Sequence, residues 1–64
     1  MKLKDFITWI PDYTRVKISK NAKNLITYGE ALRKEWHGFN FDQLIVRQSY
    51  FDIVDDIPTV VIIC

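Results

Sequence analysis

Thr59-Val60-Val61-Ile62-Ile63-Cys64 is a run of β-branched and apolar residues with no polar alternation after Thr59. A strand buried on one face alternates apolar and polar side chains, whereas a strand buried on both reads as continuous. This stretch therefore predicts a strand at the centre of a sheet, with cover on both faces. Its neighbours in the sheet and its cover must come from upstream residues or from a second copy.

The clearest neighbour is residues 13–20. Thr14, Val16 and Ile18 fall on one side and Arg15, Lys17 and Ser19 on the other, the period-two pattern of a half-buried strand. Asn21-Ala22-Lys23-Asn24 reads as a polar turn, and residues 25–27 as a short strand completing a hairpin. Ahead of the hairpin, Leu3, Phe6, Ile7 and Ile10 take the i, i+3, i+4, i+7 spacing of one helical stripe, which Pro11 ends. Trp9 lies off that stripe.

A second helix is expected from Tyr28 to His37. Thr27 and Glu30 have the spacing of a capping box, and Tyr28, Ala31, Leu32 and Trp36 form the apolar stripe. Arg33, Lys34 and His37 suit its C-terminal end, with Gly38 just beyond. Residues 43–49 read as a third strand, although Phe41, Leu44 and Ile45 would also share a helical face. Residues 50–58, with Asp52, Asp55 and Asp56, read as a long acidic connection. The expectation is a small α+β fold: about four β-strands in an antiparallel or mixed sheet with two short helices, in the order α-β-β-α-β-β.

Residues 1–64 are expected to form one domain. A core this small supplies only about 3–5 kcal/mol of net stability. Cys64 is the one cysteine, so no internal disulfide and no cysteine-rich metal site adds to it. A hydrophobic fraction of 48% still suits a folded chain rather than a disordered one. The longest apolar run is far short of the ~18 residues of a membrane span. The opening has no long apolar stretch, so a cytoplasmic location is expected.

Net charge is +1, with +5 in residues 1–34 and −4 in residues 35–64. Both halves interleave in a fold of this size, so the asymmetry is expected to cancel largely across the surface.

No arrangement for chemistry emerges. His37, the only histidine, stands at a predicted helix end without a nucleophile or orienting carboxylate. Cys64 sits beside the terminal carboxylate, which disfavours a thiolate. Asp52, Asp55 and Asp56 lack the ligand spacing and turn glycine of a calcium loop. Gly29 and Gly38 lie in no phosphate-cradling motif. No catalytic residue, metal or cofactor is therefore expected, and the chain is read as a non-enzyme. Tyr13, Arg15 and Lys17, with Lys20 and Lys23 near, would suit a single-stranded nucleic acid, and this is the second reading of function. The first is a protein-interaction module, possible as a homodimer. Trp9, Tyr50 and Phe51 would be its anchors, and Arg15, Lys17, Asp52, Asp55 and Asp56 its charged rim.

The opening Met1-Lys2-Leu3-Lys4-Asp5-Phe6, Pro11-Asp12 and the strand Thr14-Arg15-Val16-Lys17-Ile18 resemble small uncharacterised proteins of phages and prophages in Gram-positive bacteria. Tyr28-Gly29 and the later strand segments fall in similar order. The resemblance implies no catalytic residue. It implies an inhibitor of a host defence protein, in the manner of anti-CRISPR proteins.

Overall fold

The computed structural model describes residues 1–21, 23–34 and 43–64. It is a small α+β fold with a mixed sheet of four strands. The strands are β1 (Arg15–Lys20), β2 (Lys23–Tyr28), β3 (Gln48–Val54) and β4 (Ile57–Ile63), in the spatial order β2-β1-β4-β3. The run at residues 59–63 is central, as its composition requires. It pairs in parallel with β1 (Val16↔Val60, Ile18↔Ile62) and antiparallel with β3 (Phe51↔Val60, Tyr50↔Val61).

The element order differs from the expected one at its first step. Helix α1 (Leu3–Phe6) lasts four residues and tightens into a 3₁₀ turn over Ile7–Trp9. Two local effects shorten it. The Thr8 hydroxyl donates back to the Asp5 carbonyl at 2.7 Å, competing with the helical ladder. Pro11 then forces Ile10 into an extended conformation, with ψ at 122°.

Helix α2 is described over Gly29–Lys34; the remainder of the expected helix, with Trp36, His37 and Gly38, lies outside the described residues. Its first amides are not satisfied by the expected capping box. The Gly29 and Glu30 N–H groups donate to the carbonyls of Thr14 and Asp12, while the Glu30 carboxylate accepts from Lys34 at 2.7 Å. That bond and the lysine charge hold the Glu30 carboxyl below its ordinary pKa of 4.5. Gly29 is buried, and a Cβ there would run into the Pro11 carbonyl oxygen. Only glycine lets β2 turn directly into α2 at this crossing.

The largest correction concerns residues 43–58. Residues 43–47 are not a sheet strand. Ile45 makes a single antiparallel bridge with Lys2, and Leu3 N–H donates to Leu44 O while Val46 N–H donates to Met1 O, clasping the opening of the chain. The expected acidic connection is instead a hairpin: β3 enters at Gln48, Asp55 and Asp56 make a two-residue turn, and β4 leaves at Ile57. Both aspartates are left-handed, with φ of 54° and 64°, as a tight hairpin demands. Pro58 fits inside β4 because pairing with β1 begins one residue later, at Thr59.

The core lies between the helices and one face of the sheet. Leu3, Ile7, Ile10 and Leu32 meet Val16, Ile18 and Ile62 there, with Leu44 and Cys64 at the periphery. Burying each such side chain contributes about 1.5–3 kcal/mol. Arg33 fastens α2 to this layer. Its guanidinium donates to the carbonyls of Ile7, at the start of the 3₁₀ turn, and Ile10, just past its end, and pairs with Asp12.

Candidate interaction surface

Residues in register across neighbouring strands share a face. Val16, Val60 and Phe51 therefore lie on the helix side, and Lys17, Val61 and Tyr50 on the other. Among the described residues, the helical layer packs over β2, β1 and β4 and stops short of β3. Along β3 the helix-side residues Ser49, Phe51 and Ile53 are exposed.

A groove of about 380 Å³ runs between the 3₁₀ turn and β3. Phe6, Trp9, Ile10, Tyr50, Phe51 and Val60 line it, with Thr14 and Ser49, so its wall is mainly apolar. Trp9 is 80% exposed and Phe51 78%. The structure thus brings two of the three expected anchors, Trp9 and Phe51, to one groove. The third, Tyr50, also borders this groove, although its pairing with Val61 turns its side chain to the opposite face, 43% exposed.

The expected rim divides in the same way. Asp52 and Lys17 lie on the face away from the helices, and Asp55 and Asp56 at the hairpin tip. Arg15 is turned inward. Its side chain is 13% exposed and crosses β4 to donate to the Val54 carbonyl at 2.8 Å, with Asp55 at 3.4 Å. It secures the β3–β4 turn to the centre of the sheet and lies beside Thr59. Thr59 itself is fully buried, and its hydroxyl is satisfied by the Ile57 carbonyl. Alternation along β1 sends Lys20 to the face opposite Lys17, so the five groups of the basic strand reading do not form one surface.

β3 is also an edge. A two-residue turn is closed by a hydrogen-bonded pair, here Val54 and Ile57. The backbone groups of Gln48, Tyr50, Asp52 and Val54 then face β4, and those of Ser49, Phe51 and Ile53 face outward. The Ile53 amide bears this out, since it donates to the Asp52 carboxylate at 2.8 Å rather than to a strand. Sequence reading missed this edge. The one signal, a weak one, is Asp55-Asp56 as turn residues between Ile53-Val54 and Ile57.

Cys64 is buried against the core, and burial pushes its thiol above the ordinary value against a smaller opposing effect of Lys20. It is protonated at neutral pH and shielded from reagents. Among the described residues no three His, Cys, Asp or Glu side chains gather in a metal-binding group, and no helix is long and apolar enough to cross a membrane. Set against protein-family models, curated proteins and solved structures, the chain matches none.

Proposed function

We propose that this chain is a non-enzymatic protein-interaction module that docks a protein along β3, with Trp9 and Phe51 as its anchors. One observation carries the reading: two large aromatics, each about four-fifths exposed, flank one mainly apolar groove beside a strand that, among the described residues, is an edge of the sheet. Solvating that much contiguous apolar surface is unfavourable, and patches of this kind mark contact sites. An extended segment can pair with the edge through its backbone and place alternate side chains in the groove. The resemblance of the opening to small phage proteins makes a host defence protein the target class, met in the cytoplasm. A nucleic-acid role has less support, because Arg15 is engaged internally and Lys17 and Lys20 lie on opposite faces.

The test is capture from bacterial lysate by the tagged chain, with and without nuclease, set beside Trp9→Ala and Phe51→Ala. A protein that survives nuclease and is lost with either variant, while both variants keep the wild-type circular dichroism spectrum, is the expected result. Capture that vanishes on nuclease treatment and is indifferent to both variants overturns it.

A further inference from the structure

We infer that the β3 edge is occupied by a second copy of this chain, β3 against β3 in antiparallel register about a two-fold axis through Phe51. The inference rests on the same exposed edge and groove as the docking reading above and names a second copy as their occupant.

The register follows from backbone direction and charge. Antiparallel self-pairing must set outward-facing residues against outward-facing residues, which here are Ser49, Phe51 and Ile53. The axis then passes through residue 50, 51 or 52; axes further out leave the strands barely overlapping. An axis at residue 52 sets Asp52 against its own copy, a like-charge pair. An axis at residue 50 leaves Arg47 opposite Ile53 and Asp55 opposite Ile45. An axis at Phe51 sets Phe51 against Phe51, Ser49 against Ile53 and Tyr50 against Asp52. It also brings Arg47 of each copy, just ahead of β3, towards Asp55 at the turn of the other, whose carboxylate Arg47 would share with Arg15. No like charges then meet along the seam, and one opposite-charge pair closes each end.

Backbone and side chains both gain. Reciprocal hydrogen bonds form at Phe51 and at each Ser49–Ile53 position. Asp52 must release the Ile53 amide, whose new acceptor is the Ser49 carbonyl of the second copy. The two-fold axis stands perpendicular to the sheet, so the helix layers lie on the same side and the two grooves join. The two Phe51 rings meet at the centre, with a Trp9 on either flank. Phe51 and Ile53, 78% and 68% exposed in the single chain, lose solvent there. A small core without a disulfide is the setting in which association supplies stability.

Sedimentation equilibrium from about 1 µM to about 1 mM tests this. A reversible dimer is expected for the wild type. Phe51→Lys, which places two charges on the axis, is expected to remain monomeric with an unchanged circular dichroism spectrum. A cross-link fixes the register. With Cys64→Ala in each chain, Tyr50→Cys and Asp52→Cys are expected to form a disulfide when mixed and not when oxidised separately. A wild type that stays monomeric to about 1 mM, or Tyr50→Cys or Asp52→Cys cross-linking alone as readily as in the mixture, overturns the inference. A monomer whose capture of another protein is still lost with Phe51→Ala sinks this inference and leaves the docking reading standing. A dimer lost with Phe51→Lys that captures nothing else supports the inference and removes the docking reading.

Discussion

The two edges of the sheet are built from strands of nearly equal length and are treated differently. β2 begins at Lys23, which faces Lys20 across its hairpin, and passes at Tyr28 directly into α2. Cationic residues and short runs that turn away are common ways of blunting an edge against further pairing. β3 carries no lysine, leads into no helix, and has only the Asp52 side chain closing one of its outward amides. Its Phe51 and Ile53, 78% and 68% exposed, are also barer than Ile26 and Tyr28 on β2, at 44% and 49%. The contrast teaches that an open edge is a feature of one strand's own residues, because the same sheet holds a guarded edge as well.

The largest expected effect breaks the guarded side. Gly29→Ala drives a methyl into the Pro11 carbonyl and prises α2 from the turn that β2 feeds. Urea denaturation should show a loss of about 1–3 kcal/mol, and a change under about 0.5 kcal/mol would mean that the crossing is looser than described. On the open side, Arg15→Ala removes the donor to Val54 and frees the β3–β4 turn. A loss of about 1–2 kcal/mol is expected, with exchange at the Val54 and Ile57 amides, which close the turn, rising ahead of the rest of the sheet. No local increase would mean that Arg15 is not what secures this hairpin.

Asp56→Gly sharpens the contrast by relaxing a left-handed turn that an aspartate occupies under mild strain. A stability gain of about 0.5–1 kcal/mol in the same denaturation experiment is expected, and a loss would mean that the Asp56 side chain makes a contribution of its own. The smallest effect belongs to the exposed Glu30–Lys34 pair. Its carboxyl pKa is lowered in the fold, so the pair's contribution is present above pH 4.5 and fades as pH falls below it. A Glu30→Gln chain should therefore differ slightly from wild type at pH 7 and not at all at pH 2; a difference that persists at pH 2 would assign the effect to something other than this charge pair.

Much of this contrast was legible in residues. The alternation from Thr14 to Ser19 gives β1, and the unbroken run after Thr59 gives a central β4. Trp9 stands off the helical stripe in sequence and stands in solvent in the fold. β3 escaped because Gln48 to Val54 has no inside–outside rhythm: it is an edge strand with neither face deeply buried, so nothing selects alternation. Leu44, Ile45 and Val46 look more like a strand than β3 does, yet they pack against the opening of the chain and the core. Asp55-Asp56 hid the turn, since aspartate enters left-handed backbone less readily than the glycine that usually marks it. The groove itself could not be read at all. It arises where the helical layer ends short of β3, a matter of layer width rather than of any motif.

Residue-resolved amide exchange at low and high protein concentration tests the difference between the edges most directly. When dilute, the Ser49 and Phe51 amides should exchange freely while Tyr50 and Asp52, bonded to β4, are slow. When concentrated, Ser49 and Phe51 should become protected while the outward amides of Asn24 and Ile26 on β2 stay open. Protection that rises on β2 and leaves Phe51 unchanged would contradict the account.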